Sequence, residues 1–137
     1  MSIVTPVDNE YMYEGSVSIS QTDLEGVITY VNKKFCEVSG YSVSELLGKT
    51  HGVIRHPSIP KSVFEGLWKT VSSGQVWNGM IKNLRKDGLY YWVETEVLPI
   101  KDERDVLTGY IAVDKPASRK NINEISENYE NLLELEK

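Results

Sequence analysis

The chain has 137 residues, 40% hydrophobic and 26% charged, with ten Gly, five Pro and a formal net charge of −5. This is the balance of a single globular domain, with or without an appended helix, and it excludes a disordered, collagen-like or disulfide-stapled chain. The one cysteine, Cys36, excludes an intrachain disulfide or a multi-cysteine metal site, and no apolar run approaches the roughly 18 residues of a membrane span.

The first segment, residues 1–15, reads as a cap anchored by Ile3, Val4, Tyr11, Met12 and Tyr13, and its acids Asp8, Glu10 and Glu14 are unlike a secretory signal. A cytoplasmic location without direct membrane insertion is therefore expected. Val17 to Ser20 alternates apolar and polar like a half-buried strand. Asp23-Leu24-Glu25-Gly26 is a turn, and Val27 to Val31 is a second strand rich in β-branched residues. Asn32 can cap a helix that buries Phe35 and Val38 and stops at Gly40. Ser42 and Glu45 have capping-box spacing at the start of another short helix, ended by Gly48. His51 to Pro60 is broken by Gly52, Pro57 and Pro60 into turns, with Ser58 placed to cap the helix that follows. Val63, Phe64, Leu67, Trp68 and Val71 then form one apolar stripe on a helix from Lys61 to Ser72.

Three strands follow: Val76 to Leu84, Leu89 to Ile100 and Leu107 to Asp114, the first pair joined by the Asp87-Gly88 turn. Beyond Ser118, Ile122, Ile125, Tyr129 and Leu132 recur at three- and four-residue steps between glutamates. That is an amphipathic helix too short to stand alone. It can dock on the sheet, pair with a second copy or lead into an effector. The segregation of strands and helices defines an α+β class: a five-stranded antiparallel sheet, short helices on one face and a C-terminal amphipathic helix.

Charge is unevenly spread. From Leu46 to Lys86 one acid, Glu65, faces seven bases (Lys49, Arg55, Lys61, Lys69, Lys82, Arg85 and Lys86), a local +6 that leaves −11 for the remainder. A basic centre in an acidic chain points to a small anionic ligand and away from nucleic acid, whose long polyanion the acidic remainder would repel. Solvated surface lysines are the plainer reading of the same charges.

Gly26-x-Ile28-x-x-x-Asn32-x-x-Phe35, Ser39-Gly40-Tyr41 and Glu45-Leu46-Leu47-Gly48 resemble the first half of a PAS sensor domain. Trp77-x-Gly79, Asn83, Lys86-Asp87-Gly88, Tyr91-Trp92-Val93, Pro99-Ile100 and Gly109-Tyr110-Ile111 resemble its last three strands. The resemblance implies a ligand pocket enclosed by sheet and helices, with residues 16–116 as the PAS domain and 117–137 as a signalling or linker helix. Ile54-Arg55-His56-Pro57-x-x-Pro60-Lys61-x-x-Phe64-x-x-x-Trp68 is similar, more narrowly, to the PAS domain of bacterial aerotaxis receptors, although Ser58 stands where that family often has an acid. This narrower likeness implies non-covalent FAD, a redox-sensing role in energy taxis and an effector or chemotaxis signalling domain in cis or trans, with a homodimer as a further possibility.

FAD asks for apolar and stacking partners around its ring, amide hydrogen bonds at the ring edge, and cations or free N–H groups at its pyrophosphate. Phe64, Trp68 and Trp77 can supply the first and Asn83 the second, and Arg55, beside His56 and Pro57, is placed for the pocket. The resemblance adds Asn32 and His56, and His51 completes the candidate set. Each has a plainer reading: Asn32 as a helix cap, Phe64 and Trp68 as core. A haem sensor using His51 or His56 as axial ligand is one alternative. A cofactor-free interaction module, its interior filled by Trp68, Trp77 and their neighbours, is another. No nucleophile–base pair, phosphate loop or paired metal carboxylates point to an enzyme. Cys36 lacks the Asn-Cys-Arg context of photoreceptor adduct cysteines and reads as a small core residue.

Overall fold

The computed structural model describes residues 4–137, so the first three residues of the expected cap, Ile3 among them, lie outside the described residues. The strands are β1 (Ser18–Asp23), β2 (Ile28–Val31), β3 (Trp77–Leu84), β4 (Tyr90–Lys101) and β5 (Leu107–Pro116). They form one antiparallel sheet in the order β2-β1-β5-β4-β3. Between β2 and β3 the chain makes helices α1 (Lys33–Ser39), α2 (Val43–Leu46) and α3 (Lys61–Ser72), with one turn of 3-10 helix at His51–Ile54. The C-terminal helix α4 spans Arg119–Leu135.

Local chemistry sets these boundaries. The Asn32 side chain accepts from the Phe35 N–H at 2.9 Å, and α1 ends at Gly40, whose φ of 81° belongs to the left-handed cap that glycine adopts without penalty. Ser42 and Glu45 form the reciprocal capping box at the start of α2. Asp87 and Gly88 close the β3–β4 hairpin as expected, with the Arg85 and Leu89 backbones paired at 2.8 Å. Ser58 does not cap α3, in contrast to the sequence expectation. Pro60 holds that position without a side-chain bond, and Ser58 turns back to the His56 ring instead. The N-terminus of α3 is satisfied from far along the chain. Glu136, just past α4, accepts from the Lys61 N–H at 2.9 Å and from the Ser62 hydroxyl at 2.7 Å.

Period two divides the sheet into two faces. Inward positions include Ser20, Thr22, Ile81, Asn83, Tyr91, Val93, Thr95, Val97, Tyr110 and Asp114, all buried. One apolar cluster joins Ile28, Val31, Phe35, Tyr41, Leu46 and Ile54 under α1 and α2, and another joins Leu67, Val71, Val97 and Tyr110 under α3. On the outer face α4 lies over Trp92, burying Ile122 and Tyr129 against it and against Ile59. The helix thus docks on the sheet, one of the destinations the sequence leaves open. The N-terminal stretch meets the start of β4 through an isolated parallel bridge from Glu10 to Tyr90, and Tyr13 is buried beside Tyr91.

Candidate functional site

A cavity of about 120 Å³, open on one side, lies between the inner face of the sheet and the segment from the 3-10 turn to α3. The 3-10 turn contributes His51, Gly52 and Arg55, and α3 contributes Phe64, Leu67 and Trp68. The sheet contributes an apolar set (Ile81, Val93, Val97, Tyr110, Ala112) and a polar set (Ser20, Thr22, Asn83, Thr95, Asp114).

Arg55 and Phe64 work as a pair. The guanidinium carbon sits 3.7 Å from the ring centroid, so the cation is held over an aromatic face while its outer edge stays exposed. The backbone of Arg55 bridges that of Asn83, fastening the loop to the edge of β3. Asn83 is buried and faces Tyr91 across the β3–β4 ladder. Trp68 is 39% exposed and meets Tyr110 edge-to-face at 5.5 Å, so it stands at the rim of the cavity. His51 Nε2 lies 3.1 Å from the Ser20 hydroxyl, and its ring packs edge-on to Phe35. Burial lowers the His51 pKa to about 4, so the ring is neutral at physiological pH.

Three expected site residues stand elsewhere. Asn32 is consumed by structure: its Oδ1 accepts from the Phe35 and Ile19 N–H groups and its amide donates to the Val17 carbonyl. His56 is buried beside Tyr90, its Nδ1 bonded to the Ser58 N–H at 3.0 Å and in contact with the Ser58 hydroxyl at 2.8 Å. Its pKa is lowered to about 4 by burial and then by the Lys82 charge. Trp77 folds its indole across Gly79, which leaves no room for a Cβ there, and packs against the core beside Ile81 and Val97. None of the three lines the cavity.

The basic centre is likewise dispersed. Lys86 pairs with Glu45 at 2.6 Å, Arg85 with Asp87 at 3.1 Å, and Arg85 also donates to the Val38 carbonyl. Lys82 lies over the Tyr90 ring at 4.2 Å. Among the seven bases only Arg55 reaches the cavity wall.

Sequence reasoning passed over the polar floor. Asp114 is buried at the end of β5, and its carboxyl is pushed up to about 6 by burial, against which its Thr95 hydrogen bond acts. The signal was present in β1, where Ser18, Ser20 and Thr22 put polar groups at every inward position, opposite Asp114, Ala112 and Tyr110 of β5. Among the described residues no group of His, Cys, Asp and Glu is arranged to hold a metal ion, and no helix is long and apolar enough to cross a membrane.

An open five-stranded antiparallel sheet with short helices enclosing a pocket on one face defines an α+β fold. Residues 28–113 match the family described as PAS fold, and the chain belongs to that family. It is 36% identical over 124 residues to the aerotaxis receptor of Escherichia coli, covering 90% of this chain and 24% of the receptor. It is 31% identical over 105 residues to the nitrogen fixation regulatory protein of Klebsiella pneumoniae, covering 77% of this chain and 21% of that protein. The chain thus spans a quarter or less of these curated relatives. Among solved structures, a light-oxygen-voltage domain studied with a flavin analogue superposes with TM-score 0.73 at 23% identity, over 83% of this chain and 87% of that one. A PAS domain from Colwellia psychrerythraea superposes with TM-score 0.69 at 26% identity, over 75% and 87% respectively.

Proposed function

We propose that this chain is the FAD-binding sensor of an energy-taxis signalling protein, acting in the cytoplasm without catalysis of its own and passing the flavin redox state to an effector domain. The observation that carries the reading is the cavity itself. Its α3 side offers aromatic surface and one cation in Phe64, Trp68 and Arg55, its β3 edge offers the Asn83 amide, and Thr22 leaves a buried hydroxyl without a partner. A flavin ring needs apolar faces and a hydrogen-bonded edge, and a dinucleotide needs a cation where it meets solvent; the wall has each in turn. The likeness to the aerotaxis receptor supports the same reading. Residues 16–116 would form the sensing unit and 117–137 the element that carries the output.

Bound FAD would supply a reversible redox change. The residues of this chain hold it and answer it. Phe64 and Trp68 bury the ring, and Arg55 meets the anionic part. Asn83 answers at the ring edge, because an amide turned over exchanges donor for acceptor without leaving its place. Asn83 lies on the strand whose Met80 carbonyl accepts the Tyr129 hydroxyl of α4 at 2.7 Å, so a shift of β3 is felt directly by the C-terminal helix.

The absorbance of the purified chain tests this. Oxidised flavin gives bands near ~370 and ~450 nm, and a haem protein one intense Soret band. A colourless protein that takes up no added FAD overturns the flavin reading. A Soret band lost in His51→Ala would install the haem alternative, since His51 is the one histidine on the cavity wall.

A further inference from the structure

The cavity, at about 120 Å³, is well short of the roughly 300–1,000 Å³ of sites that enclose a drug-sized ligand. A flavin ring therefore enters only if part of the wall moves, and the bonding of the wall says which part. The 3-10 turn is fastened to the sheet through its backbone. The His51 N–H donates to the Gly26 carbonyl at 3.0 Å, the Ile28 N–H to the Lys49 carbonyl at 2.8 Å, and Arg55 bridges Asn83. Helix α3 is fastened by its apolar face, where Leu67 and Val71 are buried with Val97 and Tyr110, and at its first turn by Glu136.

Between these two anchored pieces runs a seam. The other side-chain hydrogen bonds of α3 stay in its own last turns, as where the Thr70 hydroxyl donates to the Gly66 carbonyl at 2.8 Å. Among the described residues no hydrogen bond or salt bridge crosses from α3 to the 3-10 turn or to the β1–β2 turn. Two side-chain contacts span the gap instead. One is the Arg55 guanidinium over the Phe64 ring at 3.7 Å. The other lies one helical turn along α3, on the same side, where the six-membered ring of Trp68 rests on Gly26 in the β1–β2 turn. A Cβ at Gly26 would stand 3.5 Å from Cη2 and 3.7 Å from Cζ2 of that indole. Of the aromatic side chains Phe64, Trp68 and Tyr110 on the wall, Trp68 is the exposed one, Phe64 being half-buried and Tyr110 buried.

We propose that this seam is the entrance of the cavity and that Trp68 on Gly26, with Arg55 on Phe64 beside it, is its latch: a flavin-sized ring passes only while both contacts are parted, and they close again behind it. This rests on the flavin reading and deepens it, by assigning to the seam the control of cofactor exchange. The latch consists of van der Waals and cation–π contact, so it opens without unpairing any backbone group. An open form that is the minority slows entry in proportion to its population, and the latch re-formed over the ring slows exit. A cofactor without a covalent link is then retained kinetically.

Stopped-flow quenching of flavin fluorescence on the full chain gives association and dissociation rates for FAD and for lumiflavin, the same ring without the ribityl chain or phosphates. Trp68→Leu stays apolar but is too short to reach Gly26. It should raise the association rate of both probes about two- to tenfold, the worth of one aromatic contact, and raise their dissociation rates as well. Phe64→Leu takes the ring from beneath the Arg55 guanidinium and should raise association about two- to fivefold, the worth of an exposed cation–π pair. Association is the deciding readout, because a side chain that merely lines the bound ring changes dissociation alone. Thermal melts show that each variant folds, and either variant decides the matter if the other does not. Faster dissociation with association unchanged or slowed overturns the latch and leaves the flavin reading intact. Faster association of lumiflavin in the variants, with no FAD binding, keeps the latch and removes the dinucleotide. If neither flavin binds the chain or its variants, both ideas fall.

Discussion

Single side chains here are governed by what burial does to polar groups. His51 and His56 both titrate near 4 in the folded chain because burial opposes the charged ring, and each has its ring nitrogen engaged by a serine. Asp114 is displaced the other way, to about 6. The signs oppose. Between about 6.5 and about 4 the unfolded histidines bind protons that the native ones refuse, so acidification removes stability there. Between about 6 and the ordinary aspartate value near 3.8 the native Asp114 holds a proton that the unfolded one has lost, so acidification adds stability. Two groups outweigh one: thermal melts should show the midpoint falling as pH drops from 6.5 to 4. Asp114→Asn should make that fall steeper and raise the midpoint at neutral pH, and a flat profile in both proteins would refute the argument.

Also at this scale, Gly109 is a steric requirement. A Cβ there would overlap the Thr22 backbone carbonyl where β1 and β5 pair, and backbone cannot swing aside as a side chain can. Gly109→Ala should cost about 1–3 kcal/mol, the usual range for overpacking, and should perturb the cavity floor beside Thr22. A denaturant titration measures the first effect, and amide shifts of Ser20 to Asp23 report the second.

Among the elements, α4 is the one whose role depends most on its neighbours. Its sequence is amphipathic, but an isolated helix of this length is marginal in water. Its stability here comes from Trp92, stacked on Tyr129 with centroids 6.3 Å apart, from the Tyr129 hydroxyl on the Met80 carbonyl, and from Asn121 on Glu94 at 2.8 Å. Tyr129→Phe should cost about 1 kcal/mol, the net worth of one hydrogen bond, and hydrogen exchange should show faster opening along α4 than in the central strands. Unchanged protection would mean that the hydroxyl contributes nothing to docking. Glu136 ties the end of the same helix to the start of α3, with its carboxyl held below the ordinary range chiefly by its bond to Ser62. The wall that carries Phe64 and Trp68 is thereby linked to the C-terminal helix on the opposite face of the sheet. Glu136→Gln, which leaves one acceptor oxygen in place, should loosen α4 less than Glu136→Ala in the same exchange measurement.

For the whole molecule, the sheet separates two surfaces with different tasks: an inner one that builds the cavity and an outer one that seats α4. β3 and β4 belong to both, since Asn83 faces inward and Met80 and Trp92 pack under the helix. Under the proposed function, Asn83→Leu should therefore abolish or strongly weaken FAD binding while leaving α4 protected from exchange. Removing the chain from residue 119 onward should leave binding largely intact and expose Trp92. Flavin absorbance and tryptophan emission read the two outcomes separately.

The sequence by itself determined the elements and their order, because these depend on short-range chemistry. The Asn32 and Ser42 caps, the Gly40 stop, the Asp87-Gly88 turn, the stripe on α3 and the alternation in the strands are each settled within a few residues. The family likeness was legible for the same reason, since its motifs are those caps, turns and strand positions. What only the tertiary structure decided was which of several chemically suitable side chains share the cavity. Asn32 had a full set of backbone partners to satisfy, the His56 ring was engaged by Ser58, and Trp77 was drawn over Gly79, so all three were spent on the fold. Asp114 and Thr22 look unremarkable in sequence and became neighbours of the cavity only when β1 and β5, distant along the chain, were laid edge to edge. Hydrogen-bond capacity is a local property of a residue; whether it is left over for a ligand depends on every partner the fold brings to it.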